Sequence, residues 1–205
     1  MDWSKKMRSG NTKERLIEAA LELFSQKGFD ATSVDEIARA VGIKGPSIYD
    51  HFKNKEAILQ EIVARADEEY DKNIENGREK TVNIRSGEDL KQYAMHAIAF
   101  TINNDMAIKM RKLVAIEQFR ISVLSDRATR QNITNLKRFY SGVFAKLMAE
   151  GLMVKGNPEI IALEFVAPIT LLIQMSDREK DKQYEVMKTI EEHMDVFVER
   201  FFIKQ

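Results

Sequence analysis

Residues Thr32 to Lys55 read TSVDEIARAVGIKGPSIYDHFKNK, and the punctuation of this stretch decides the fold. Ser33 stands three residues before Glu36, the spacing at which hydroxyl and carboxylate each satisfy a backbone N–H left unpaired at a helix start. Val34, Ile37, Ala38 and Val41 then share one face at helical spacing, and Gly42 is the residue best able to take the left-handed conformation that closes a helix. Pro46 suits the first turn of a second helix, since its φ is already helical and its missing N–H had no partner to lose. Ile48 and Phe52 lie one turn apart and pack inward, which leaves Lys44, Gly45, Ser47, Tyr49 and His51 outward. Two short helices joined by a glycine turn are the layout of a helix-turn-helix, a unit that faces DNA.

On the C-terminal side, Lys53-Asn54-Lys55 puts a capping asparagine before a helix running through Ile58, Leu59, Ile62, Val63, Ala66 and Tyr70. Cations at a helix start oppose the macrodipole unless an anion lies nearby, and a DNA phosphate would supply it. For any one lysine the plain alternative is a solvated surface charge. On the N-terminal side, Leu16, Ile17, Ala20, Leu23 and Phe24 form the stripe of a helix over 12–27, with Phe29 placed past Gly28 to touch Phe24 in a Schellman-type closure.

Within this unit the spacing selects a DNA-contacting set. Thr32 and Ser33 lie at a helix N-terminus suited to a phosphate, and Tyr49, His51 and Lys55 are placed to bond the backbone. Lys44, Gly45, Pro46 and Ser47 stand at the start of the recognition helix, where Gly45 allows close approach and Pro46 offers an apolar surface to a thymine methyl. Lys5, Lys6 and Arg8 add a basic N-terminal arm, which also reads as a plain frayed terminus.

Composition narrows the rest. The 205 residues are 44% hydrophobic with 3 prolines, enough for a large helical core. The 32 basic and 32 acidic side chains cancel, so any DNA affinity comes from a local patch and not from a basic coat. The chain has no cysteine, which excludes disulfides, thiolate metal sites and thiol redox sensing. No signal-like start and no apolar run long enough to span a bilayer stand out, so a cytoplasmic protein without a membrane partner is expected. His51, His96 and His193 show no metal-ligand spacing, and no Gly-rich phosphate loop, nucleophile elbow or paired histidines point to an enzyme. Neither a metal nor a cofactor is expected.

Beyond residue 56, helices are expected near 56–76, 87–103, 105–120, 126–150, 158–175 and 182–202, with Gly87 and Gly151 as punctuation and Asn157-Pro158-Glu159 as a helix opening. The segment EIIALEFVAPITLLIQM is apolar almost all round, with Pro168 expected to kink it. In the last helix Met187, Ile190, Met194, Phe197 and Phe201 recur at spacings of three and four, a bundle seam. These residues, with Ile169, Leu172 and Ile173, predict a twofold dimer through a four-helix interface. The alternative is that one chain's own core swallows both stripes.

The combination of Lys27-Gly28-Phe29, Ala31-Thr32-Ser33-Val34, Ile37-Ala38, Gly42-Ile43, Ser47-Ile48-Tyr49, His51-Phe52 and Lys53-Asn54-Lys55-Glu56 resembles the TetR family of bacterial transcriptional regulators. Gly45-Pro46 departs from the lysine-glycine pair of many members, and Asp50 puts an acid on a helix that should approach DNA. The resemblance implies an all-α chain: a three-helix DNA-binding domain over 1–55 and a helical effector-binding and dimerisation domain over 56–205. It implies a homodimer on a palindromic double-stranded DNA operator, released by a small-molecule effector that moves the helix starting near Asn54. Met95, Phe100, Met110, Gln118, Phe119, Tyr140, Phe144 and Phe165 lie on helices that surround the effector pocket in that family, though such stripes also read as plain core. Met106, Met148, Tyr93, His96 and Glu117 are further candidates. A helical adaptor that has lost DNA binding remains the alternative from another class.

Overall fold

A computed structural model describes residues 11–81 and 84–203. Several helices start where a capping side chain stands. Asn11 caps α1 (Thr12–Lys27) by accepting from the Glu14 N–H at 3.0 Å, and Ser33 caps α2 (Val34–Val41) through the full capping box with Glu36. Gly42 closes α2 in the left-handed region at φ +75°. Gly28 is different: it keeps the expected Phe24–Phe29 contact, with ring centroids 5.2 Å apart, but its φ of +89° and ψ of 166° are not those of a Schellman closure.

The second element of the helix-turn-helix is not an α-helix but a 3-10 helix, Gly45–Asp50, with Pro46 in its first turn. Asn54 then caps α3 (Lys55–Thr81) by accepting from the Ala57 N–H at 2.8 Å. The remaining helices are α4 (Gly87–Asn103), α5 (Asp105–Glu117), α6 (Ser122–Thr129), α7 (Asn135–Ala149), α8 (Pro158–Arg178) and α9 (Gln183–Phe201). Ser86, Asn104 and Asn157 cap α4, α5 and α8. The expected helix over 126–150 starts earlier, at Ser122, and is interrupted by a π-helical turn at Arg130–Thr134. Among the described residues extended pairing is limited to an isolated bridge between Met153 and Phe202.

Two cores hold the chain. The first collects Leu16, Ile17, Phe24, Ile37, Ile48 and Phe52, and continues past residue 55 into Ile58, Ile62 and Ala66 of α3, Met110 and Leu113 of α5, and Leu124 of α6. The helix-turn-helix and the front of α5 therefore share one apolar interior. The second core gathers α4, α7, α8 and α9 around Phe144, Phe165 and Phe197, whose ring centroids lie 4.7–5.6 Å apart. Truncating such a ring to alanine costs about 3–5 kcal/mol.

This second core takes in five of the eight residues expected at a dimer seam. Ile169, Ile190, Met194, Phe197 and Phe201 are buried within their own chain, and Leu172, Ile173 and Met187 pack against the same core. The seam spacing is that of an intramolecular bundle. The apolar residues left outside are others: Ile160, Leu163 and Leu171 on α8, Tyr184 and Val196 on α9. The expectation about bilayer-length runs is also corrected, since Pro158–Arg178 is long and apolar enough by length and composition, with a window hydropathy of 1.6. Its inner face carries Phe165, Val166 and Ile169 into the second core.

Candidate nucleic-acid interface and effector cavity

The turn and 3-10 helix present a continuous outer face. Lys44, Pro46, Tyr49, Asp50, His51 and Lys53 are exposed, Tyr49 at 58%, while Gly45 and Ser47 are partly covered. Ile48 and Phe52 anchor the opposite side in the first core, so the outward residues are held on a short element with little freedom. Ser33 is exposed at the start of α2, and Arg39 is exposed at its end. Arg39 was not among the sequence candidates, although the apolar stripe of Val34, Ile37, Ala38 and Val41 already turned it outward.

Three members of the sequence-selected set have other work in the structure. Thr32 is 1% exposed and its hydroxyl donates to the Gly28 carbonyl at 2.8 Å, so the side chain supports the turn and does not face solvent. The Lys55 ammonium donates to the carbonyls of Phe29 and Thr32 at 2.7 and 2.8 Å and lies 4.3 Å from the Phe29 ring centroid. It is committed to the α1–α2 connection. Gly45 makes its close approach to a neighbouring side chain: a Cβ there would meet Asp35 Oδ1 at 2.0 Å. The acids Asp35 and Asp50 thus border the cations of the same face.

Behind this unit, α3 to α8 enclose a cavity of about 800 Å³. Phe100, Met110, Gln118 and Tyr140 line it, as do Met106, Tyr93 and His96. The other candidates do not: Phe144 and Phe165 are filled into the second core, Met95 packs against it, and Phe119 is 92% exposed beyond the end of α5. Methionine and aromatic spacing cannot separate a wall from an interior, because both present an apolar face at the same period. Burial pushes the Tyr70 and Tyr93 hydroxyls up to about 12 and raises Tyr140 further, so these three remain protonated donors. Burial also lowers Arg127 to about 10. Arg127 pairs with Asp67, and Arg111 with Asp177 through Nε at 2.6 Å and Nη2 at 2.8 Å.

One helix touches both places. The face of α5 that carries Met106, Met110 and Arg111 lines the cavity, with Gln118 just past its end, while Lys109 on the same helix pairs with Glu22 of α1 at 2.6 Å. At the end of α5, Glu117 is 2% exposed and accepts from the Phe29 N–H at 2.8 Å. Glu117 was a sequence candidate for ligand contact; the structure turns it to the helix-turn-helix side.

Residues 16–62 match the family model described as bacterial regulatory proteins, tetR family. The chain is 32% identical over 94 residues, 46% of its length and 45% of the relative's, to the "Probable HTH-type transcriptional regulator YttP" of Bacillus subtilis (strain 168). It is 45% identical over 51 residues, 25% of its length, to IcaR of Staphylococcus aureus (strain Newman), the negative transcriptional regulator of the biofilm operon icaADBC. That match spans 27% of IcaR, so the chain aligns with less than half of either relative. Among solved structures, SmeT, the repressor of the Stenotrophomonas maltophilia multidrug efflux pump SmeDEF, superposes with a TM-score of 0.67 at 18% identity, covering 95% of this chain and 92% of that one. FadR from Bacillus halodurans, a fatty acid degradation regulator, gives 0.66 at 16% identity over 93% of this chain and 96% of its own. A complex of SmeT with triclosan gives 0.70 at 18% identity, over 94% and 92%. These likenesses establish the fold.

Proposed function

We propose that this chain, which belongs to the TetR family through the helix-turn-helix domain at residues 16–62, is a homodimeric, cytoplasmic transcriptional repressor released from a palindromic DNA operator by a small molecule. The observation that carries the reading is α5, which walls the cavity on one side and holds the DNA-facing unit on the other through Lys109–Glu22 and Glu117–Phe29. A ligand that displaces α5 acts on the recognition element without touching it. A preference of about 3 kcal/mol for the DNA-incompetent state lowers operator affinity more than a hundredfold. The sense of regulation follows IcaR and SmeT, one named as a negative regulator and the other as a repressor, and the ligand dependence follows the triclosan complex of SmeT. Dimerisation through α8 and α9 is supported by the exposed Leu163, Leu171 and Val196.

The test is selection of genomic DNA fragments by the purified protein, followed by titration of the best fragment at two salt concentrations. A palindrome bound with a negative salt slope is the expected result. The adaptor reading has one observation in its favour, the placement of Asp35 and Asp50 on the DNA-facing side, and it predicts no enriched fragment and no salt slope.

A further inference from the structure

The charges along the cavity wall say what its occupant carries, and this step rests on the effector reading above. Where α5 meets α8, the Arg111 guanidinium holds Asp177 through Nε at 2.6 Å and Nη2 at 2.8 Å, and its Nη1 donates to the Thr101 carbonyl of α4 at 3.1 Å. The bridge is mostly covered, its side chains 18% and 11% exposed, and it ties the two helices together at the cavity wall. Lys112 follows Arg111 on α5, Arg178 follows Asp177 on α8, and both line the same cavity. Lys112 is half-buried and Arg178 exposed, so both heads are open to a ligand, and neither has an ion pair or hydrogen bond among the described residues. Arg111, Lys112 and Arg178 against Asp177 leave a surplus of positive charge at this corner.

The other charged groups of the wall do not offset it. Asp89 accepts the Arg85 N–H at 2.9 Å in the first turn of α4, at the opposite end of that helix from Thr101 and about 18 Å away along its axis. Glu69 is held by the Asn104 amide at 2.7 Å, about 12 Å along α5 from Lys112. Arg127 Nη1 is buried without a hydrogen bond and lies against Asp67, so it offers a ligand no contact. Burial lowers that guanidinium to about 10, and an anion in the cavity eases its desolvation cost while a cation deepens it. Beside the charged corner the wall is apolar, with Met106, Met110 and Ile173 turned to the cavity.

We infer that the cavity takes an amphipathic organic anion, its apolar body against Met106, Met110 and Ile173 and its acid group at the corner of α5 and α8, between Lys112 and Arg178. A carboxylate or sulfonate there gains two charge-assisted partners on a partly covered floor. A neutral molecule gains neither, and a cation meets like charge.

The experiment is fluorescence titration of the full-length protein with 8-anilinonaphthalene-1-sulfonate and with N-phenyl-1-naphthylamine, which has the same rings without the sulfonate. The expected result is one site per chain for which the two probes compete, the sulfonate binding at least about tenfold tighter at low salt and losing that advantage as salt is raised. In the double variant Lys112→Gln, Arg178→Gln the sulfonate's advantage falls at least about fivefold while the neutral probe binds as it does to the wild type, with melting midpoints confirming that the variant is folded. Equal affinity of the two probes, a preference for the neutral one, an advantage unmoved by the double substitution, or no binding by either probe overturns the inference. Failure of the effector reading shows separately: the sulfonate binds with the stated selectivity and dependence on Lys112 and Arg178, yet leaves the affinity for the selected DNA fragment unchanged.

Discussion

The Glu117 carboxylate accepts the Phe29 N–H at 2.8 Å across 88 residues of sequence, and Gly28 has no side chain where that carboxylate lies: a Cβ there would stand 2.6 Å from Glu117 Oε1. A glycine, a buried acid and a backbone donor form one joint between the cavity-lining helix and the start of the helix-turn-helix unit. Gly28 is required twice, for the room and for its φ of +89°.

Glu117→Ala leaves the Phe29 N–H buried without an acceptor and is expected to lower unfolding free energy by about 1–3 kcal/mol in urea titrations. Glu117→Gln keeps an acceptor oxygen and should recover most of that loss. Gly28→Ala, strained by φ and by contact, should cost more than about 1 kcal/mol. A Glu117→Gln protein as unstable as Glu117→Ala would place the effect in charge and not in the hydrogen bond.

Tyr49 and Lys55, paired in the sequence as DNA contacts, are expected to separate. Tyr49→Ala removes an exposed ring and should change stability by no more than about 0.5 kcal/mol while weakening operator binding. Lys55→Ala removes two charge-assisted bonds to Phe29 and Thr32 and should lower stability by about 1.5–3 kcal/mol. Lys44→Ala should reduce the salt slope of DNA binding by about 1 with the melting midpoint unchanged. Thermal melts beside DNA titrations at two salt concentrations decide all three.

Acid should loosen the capping box in a definite window. The Lys27 ammonium, then the Ser33 N–H and hydroxyl, hold the Glu36 carboxyl at about 2, below its ordinary 4.5. A pKa lowered on folding gives stability that is present above 4.5 and lost as pH falls toward 2. Melting midpoints between pH 5 and 2 should fall faster for the wild type than for Glu36→Gln. Added salt should shrink the difference, because the group is exposed. Parallel curves for the two proteins would remove Glu36 from the account.

The helix-turn-helix was legible in the sequence because its determinants are local: Ser33 and Glu36 three apart, Gly42 at the turn, Asn54 before α3. The same cues placed the helix over 87–103 to the residue, but not the end of α3, which runs on to Thr81, nor the break at Arg130–Thr134. What a period cannot encode is the surface that covers it. Phe144, Phe165, Met194 and Phe197 have the spacing of a wall or a dimer seam and are instead a private core. Thr32 and Lys55 were assigned to DNA because nothing local shows that Gly28, Phe29 and Thr32 offer them carbonyls. Glu117 was misplaced for the same reason, its partner being 88 residues away.

The proposed dimer face makes the last prediction. Leu163 and Leu171 lie two helical turns apart on the outer side of α8, and Val196 is exposed on the neighbouring α9, where Arg200 reaches across to Glu164 at 3.6 Å. An exposed apolar row on α8 with Val196 beside it, bordered by the charges of Glu164 and Arg200, suits a second copy of the same surface. Leu171→Glu and Val196→Glu, at positions each 64% exposed, should therefore yield a folded monomer in sedimentation experiments, with operator affinity reduced because two half-sites are no longer engaged together. Met194→Ala, by contrast, opens a hole in the second core and should cost about 2–5 kcal/mol while the protein that remains folded is still a dimer. If Met194→Ala dissociates the dimer and Leu171→Glu does not, the seam read from sequence is the true interface and the exposed face is not.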